Sequence, residues 1–286
     1  MIAQRLAGER LHLQHGPIDV VLRAWGSAQE VQAAERAASA RFATILQELV
    51  AELPDLRRAI DDRGLLHGPV ARRMHAACIP FARSGAWLTP MAAVAGAVAD
   101  ELLAAMRIAA PAMTKAFVND GGDVALFVSP EEVLTLGMVG HDPSGTIPTF
   151  DATLTVGHAD GIGGIATSGR HGRSMSLGIA DAVTVLARDA ATADAAATLI
   201  ANAVTLDSPA VSRAPACSLD PDSDLGDRLV TTEVGQLAAD EIAHALTAGL
   251  ICAASFVGNG LIRAAALRLA GQFRLTGRPI LQVRAA

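Results

Sequence analysis

The chain has 286 residues, of which 51% are hydrophobic and only 3% aromatic, with no tyrosine. That is ample for a sizeable core filled by Ala, Leu, Val and Ile rather than by rings. A net charge of -6 gives no basic footprint for nucleic acid or an anionic membrane. Cys78, Cys217 and Cys252 are odd in number, far apart and without CxxC spacing, so they suggest neither a disulfide framework nor a thiolate metal site. The segment Met1 to Ala7 carries no apolar signal core or lipid-attachment cysteine, and a cytoplasmic protein is expected.

From Arg10 to Arg23 the pattern predicts two strands around His15-Gly16-Pro17. His12 and His15 lack further ligands at metal-motif spacing, so no metal is expected there. Ser27-Ala-Gln-Glu30 has capping-box form and opens an amphipathic helix that Pro54 should stop. Leu56 to Pro80 reads as a broken helical connection, with Arg57, Arg58, Arg72 and Arg73 on a solvated face or neutralising phosphate. Thr89 is a candidate N-cap with Pro90 at the first helical position of a helix to about Ile108. Its apolar window is broken by Asp100 and Glu101, which predicts a buried helix rather than a membrane span.

Lys115 to Val139 predicts strands on both sides of an Asn119-Asp120-Gly121-Gly122-Asp123 turn, followed by a second turn at Ser129 to Glu132. His141-Asp142-Pro143-Ser144-Gly145 reads as a hairpin connection before a strand at Phe150 to Val156. Gly163 to Gly169 brackets the hydroxyl pair Thr167 and Ser168 with glycines, whose bare backbone lets amides approach an anion. Asp181 stands at the entrance of a strand that runs to Ala187. Asp189 to Thr205 is an Ala-rich, buried helix. On it Asp194 and Thr198, four residues apart, share one face. These hard oxygen donors suit Mg²⁺; alternatively Asp194 faces solvent and Thr198 bonds back to a helix carbonyl.

Past Thr205, prolines and aspartates predict an exposed loop to Asp227, of a kind that can serve as a lid. Asp220 to Asp224 lacks the spacing of a calcium loop. A strand at Leu229 to Val234, a helix at Ala238 to Phe256 and closing strands around Thr276-Gly277 complete an α+β pattern of mixed sheets packed with helices.

Three segments carry a resemblance to the ApbE-like superfamily, whose best-known members are FAD:protein FMN transferases. Val118-Asn119-Asp120-Gly121-Gly122-Asp123 is similar to the family's Asn-x-Gly-Gly-Asp turn, Ile165-Ala166-Thr167-Ser168-Gly169 to its Ala-Thr-Ser-Gly segment, and Ala193-Asp194-Ala195-Ala196-Ala197-Thr198 to its Ala-Asp-Ala-x-x-Thr helix. Thr89 to Gly96 further resembles a shorter, poorly characterised branch. The resemblance implies an ApbE-like (T-fold-like) arrangement over residues 1–286, as a single domain or two intertwined halves with ligand held at their junction. It also implies FAD or a related flavin nucleotide, Mg²⁺ and an acceptor protein. By the same resemblance Asn119, Gly121, Gly122, Thr167, Ser168 and Gly169 cradle phosphate or ribose, Asp123 and Asp181 are supporting carboxylates, and Asp194 and Thr198 hold the metal.

One departure stands out. Transferases of the family follow Thr-Ser-Gly with a His-rich segment and Asp-Pro-x-Thr-Gly, whereas this chain has Arg170-His171-Gly172-Arg173-Ser174-Met175-Ser176-Leu177-Gly178. No catalytic residue is therefore assigned, and His171 is read as a loop histidine. Three functions remain open: a flavin-nucleotide-binding protein acting at the FAD pyrophosphate, a non-catalytic binding or assembly protein, or an enzyme for another phosphorylated or heterocyclic molecule. Self-association is also open.

Overall fold

The structure, a computed structural model, describes residues 1–61, 66–139, 150–277 and 281–283; the expected connection at His141 to Gly145 lies outside them. In chain order come β1 (Ile2–Leu6), β2 (Arg10–His15), β3 (Ile18–Trp25), α1 (Ala28–Ala51), α2 (Leu53–Leu56) and α3 (Pro69–Arg83). A 3-10 turn at Pro90–Ala93 runs into α4 (Val94–Ala109), followed by β4 (Lys115–Asp120), β5 (Asp123–Val128), β6 (Val133–Val139), β7 (Phe150–Gly157), β8 (Gly164–Ser168) and β9 (Ala182–Ala187). Then follow α5 (Ala190–Ala203), β10 (Val211–Pro215), α6 (Ala216–Leu219), β11 (Leu229–Val234), α7 (Ala239–Gly258), β12 (Ala264–Leu269), β13 (Gln272–Gly277) and β14 (Leu281–Val283).

Nine strands form one antiparallel sheet in the order β1-β2-β3-β4-β5-β8-β9-β12-β13. Strict alternation along β3 turns Ile18, Val20, Leu22 and Ala24 inward. That face is covered by α1, α3, α4, α5 and α7 in one continuous core running from Leu11 to Leu269. The opposite face is covered over its middle by the three-stranded sheet β14-β7-β6, through Leu134, Leu154 and Val156 against Leu126, Ile165 and Leu186. The α+β expectation of mixed sheets packed with helices therefore holds.

Several local expectations are corrected. Ser27 caps α1 by accepting from the Glu30 amide at 3.3 Å, but the capping box is half made, because the Glu30 carboxylate turns to the Ala112 amide at 3.0 Å. The chain expected to be a broken connection to Pro80 holds the 15-residue helix α3. Pro69 sits at its first turn, where a missing N–H costs nothing. Val70, Met74, Ala77, Cys78 and Phe81 bury one stripe, and that burial outweighs the interior Pro80. Thr89 makes no cap; its hydroxyl donates to Asp224 instead. The stretch expected as a loop to Asp227 contains β10, paired with β11, and the short α6. The closing hairpin turns at Ala270-Gly271, both at positive φ, rather than at Thr276-Gly277.

The 20-residue helix α7 has the length and composition to cross a membrane, with mean hydropathy 1.5 over an 18-residue window. It lies along β12, β13 and α5 with Ile242, Leu246, Gly249 and Phe256 buried, while Ile251 is exposed.

Candidate functional site

The site begins with the β4–β5 hairpin. Asp120 and Asp123 are directly paired in register, so Gly121 and Gly122 form a two-residue turn at φ +65° and +117°. The Asn119 carboxamide oxygen accepts the Gly122 amide at 2.8 Å and holds the turn shut. Opposite residues of an antiparallel pair share a face, and burial of Ala116 and Val118 shows which face it is. Asp120 ends that inward row at 4% exposure, beneath the helices. Asp123 lies beside it, half-buried, and one of its oxygens accepts the Thr167 amide of β8 at 3.2 Å.

Alternation along β8 separates the hydroxyl pair. Ile165 packs into the small-sheet cluster and Ala166 into the helical core. Thr167 therefore faces away from the carboxylates and meets the Thr184 hydroxyl at 2.9 Å, whereas Ser168 shares their face. Gly169 follows where any Cβ would strike the Asp181 carbonyl, so it serves close chain packing. Gly163 and Gly164 likewise lie against the backbone of Arg188, Asp189 and Ala190. These three glycines are thus accounted for by packing before any anion is invoked.

The helical side is positioned by contact between α4 and the start of α5. A Cβ on Gly96 would collide with the Ala190 and Ala191 backbone, so only glycine allows this crossing. The Asp100 carboxylate accepts the Ala190 and Ala191 amides at 3.0 and 2.9 Å, and Asp189 accepts that of Thr192 at 2.8 Å. Together they satisfy the first amides of α5. So fixed, α5 presents Asp194 to the first turn of α4, where its Oδ2 accepts the Gly96 amide at 3.1 Å. Thr198 follows one turn later, half-buried.

Asp123 thus lies near enough to Asp120 and Asp194 to raise both, offset by the Asp19, Thr167 and Gly96 amides and by the charge of Arg173. Burial, then the charge of Asp123, pushes Asp120 up to about 7. Burial raises Asp123 to about 7, against the Thr167 amide and Arg173. Asp194 is raised well above the carboxylate range by burial and then by Asp123 and Asp120. Asp123 and Asp194 nonetheless keep some exposed surface. Solvent therefore reaches two of the three carboxylates. Nearby on α3, the buried Cys78 thiol is held protonated by burial and by Asp194.

Asp181 stands differently. Its carboxylate is engaged by Arg170 at 2.8 Å, by His171 at 3.4 Å and by the Ala270 amide at 2.7 Å. It latches the loop after β8 to the β12–β13 turn rather than offering free oxygens. Among the described residues no three His, Cys, Asp or Glu side chains are arranged as a ready metal cage. A cleft of about 470 Å³ lies elsewhere, between Asp160 and the end of α7, away from this chemistry. Sequence reading passed over Asp120, the variable residue of its motif, and Arg173, whose guanidinium lies over Gly121. Equal register of Asp120 and Asp123 across a two-residue turn was the available signal for the first.

A family model described as AbpE bacteria matches residues 3–275. The chain belongs to this ApbE-like family. Curated relatives include a UPF0280 protein of Methanothrix thermoacetophila, 40% identical over 126 residues, covering 44% of this chain and 48% of that one. Another, from Methanosphaerula palustris, is 35% identical over 151 residues, covering 52% and 58%. The chain spans about half the length of these relatives. Among solved structures, the apo flavinyl transferase ApbE of Pseudomonas stutzeri is 13% identical, with TM-score 0.42 over 98% of this chain and 96% of that one. The ApbE protein of Thermotoga maritima is 13% identical, with TM-score 0.45 over 93% and 96%. The three motif segments of this ApbE-like protein fall on the β4–β5 turn, on β8 and on α5, which together carry Asp120, Asp123, Ser168 and Asp194.

Proposed function

We propose that this protein binds a flavin nucleotide such as FAD at the Asp120–Asp123–Asp194 crevice, with Mg²⁺ as the accompanying cation. The observation that carries this reading is the grouping of three buried or half-buried carboxylates with the solvent-exposed glycines of the β4–β5 turn and the Ser168 hydroxyl. Membership of the ApbE-like family supports a flavin nucleotide as the ligand class. The donors fit Mg²⁺: Asp194 and the Thr198 hydroxyl are hard oxygens on one helix face, and Mg²⁺ commonly takes one or two carboxylates with waters and ligand phosphates rather than an all-protein cage. When bound, such an ion neutralises phosphate charge. Asn119 shapes the turn, Asp123 ties it to β8, and Gly96 orients Asp194. Binding is better supported than transfer to an acceptor protein, since the segment after Gly169 lacks the transferases' histidine element. Asp120 and Asp123, both raised by burial to about 7, are nevertheless suited to acid–base work.

The test is calorimetric titration of ligand-free protein with FAD, with and without Mg²⁺. Micromolar binding strengthened by Mg²⁺ is expected. No heat and no protection against unfolding would reject the flavin reading in favour of another phosphorylated or heterocyclic ligand or a non-catalytic descendant of the fold.

A further inference from the structure

The crevice has a second electrostatic component in the loop after β8. Arg173 is exposed, and its guanidinium lies against the Gly121 backbone, where any Cβ would collide with it. The bare, left-handed turn is what gives it room. Its charge acts on both Asp120 and Asp123, yet among the described residues no hydrogen bond or ion pair engages its donors. Its neighbour Arg170 is in the opposite condition, pinned to Asp181 by two nitrogens. Arg173 is thus held beside the carboxylates by their field, with its planar fork of five N–H donors unspent. Such a fork matches the oxygens of a phosphate.

We infer that Arg173 is the anion-binding arm of the crevice, moving from the carboxylates to a phosphate oxygen of the incoming nucleotide. The identity of that nucleotide rests on the flavin reading above. The motion has a physical cause. A cation entering at Asp194 weakens the pull of the carboxylates on the guanidinium, while a phosphate offers it a direct, charge-assisted bond. Arg173 is a specificity-determining residue that distinguishes phosphorylated from unphosphorylated ligands and competes with metal for the same negative field.

The experiment compares wild type with Arg173→Gln, after confirming equal thermal stability, using FAD, riboflavin and inorganic pyrophosphate as probes with Mg²⁺, and Mg²⁺ alone. The variant should bind FAD and pyrophosphate about tenfold to a hundredfold more weakly, the scale of a lost charged hydrogen bond. Riboflavin binding should be unchanged, and Mg²⁺ alone should bind a few-fold more tightly. Arg173→Lys should recover part of the phosphate affinity, keeping the charge without the fork. Equal FAD affinity in both proteins would overturn the role of Arg173 while leaving the flavin reading intact. Equal loss of riboflavin and FAD would overturn it too, since that pattern marks a structural defect. Pyrophosphate binding lost in the variant, with no flavin bound by wild type, would keep the anion role and reject the flavin. Wild type that binds neither rejects both.

Discussion

Replacement of Asp120 by Asn tests the physical basis of the crevice directly. The native carboxyl is 4% exposed, faces Asp123, and is raised from 3.8 to about 7. A group protonated more readily in the folded than in the unfolded state adds stability at low pH and withdraws it as pH rises between those two values. The withdrawn amount, at about 1.4 kcal/mol per tenfold change in acidity, is about 4 kcal/mol at most, and about half of that when Asp123 or Asp194 carries the proton instead. Asn resembles the protonated acid and loses nothing over the same range. Asp120→Asn should therefore match wild type near pH 4 and exceed it by about 2–4 kcal/mol at pH 8, measured by urea unfolding in EDTA. A variant less stable than wild type at pH 8, or a difference independent of pH, would refute the argument. The same substitution should weaken cation binding, a familiar exchange of stability against function.

Other substitutions probe the frame. Gly96→Ala drives a methyl into the Ala190 and Ala191 backbone; overpacking of this kind costs about 1–3 kcal/mol, seen as a lower Tm with Mg²⁺-dependent ligand binding lost. Asp100→Ala strands the Ala190 and Ala191 amides and should cost about 1–3 kcal/mol by denaturant unfolding near pH 5, below the value of about 7 to which burial raises Asp100, with the cost shrinking as pH rises. Arg5→Ala leaves Glu35, at 6% exposure, without its two-nitrogen partner. Because Arg5 itself is largely exposed, about 1–2 kcal/mol is expected, declining in high salt.

Legibility followed the reach of the interactions involved. The strand pair around Gly16, the long first helix, α5 and the β4–β5 turn are set by local alternation, caps and glycines, and they were readable. Helix α3 was obscured because Pro80 and the flanking glycines signal a break, while the burial of Met74 and Phe81 that overrides them depends on partners elsewhere in the chain. Ser168 and Thr167 are equivalent as letters; only the facing of β8 assigns one to the carboxylates and the other to Thr184. The role of Gly96 could not be read locally either, since the helix it touches begins 94 residues later at Ala190. The partners of Asp181, the Arg170 and His171 side chains and the Ala270 amide, are fixed only by the fold and so carry no local signal.

The account turns on whether Asp194 links metal to nucleotide, and the most direct measurement is FAD affinity across four conditions: wild type and Asp194→Asn, each with and without Mg²⁺. Mg²⁺ should raise FAD affinity in wild type and leave it unchanged in the variant, while the metal-free affinities of the two proteins remain similar or favour the less negative variant. An equal response to Mg²⁺ in both proteins would contradict the assignment of the metal to this crevice.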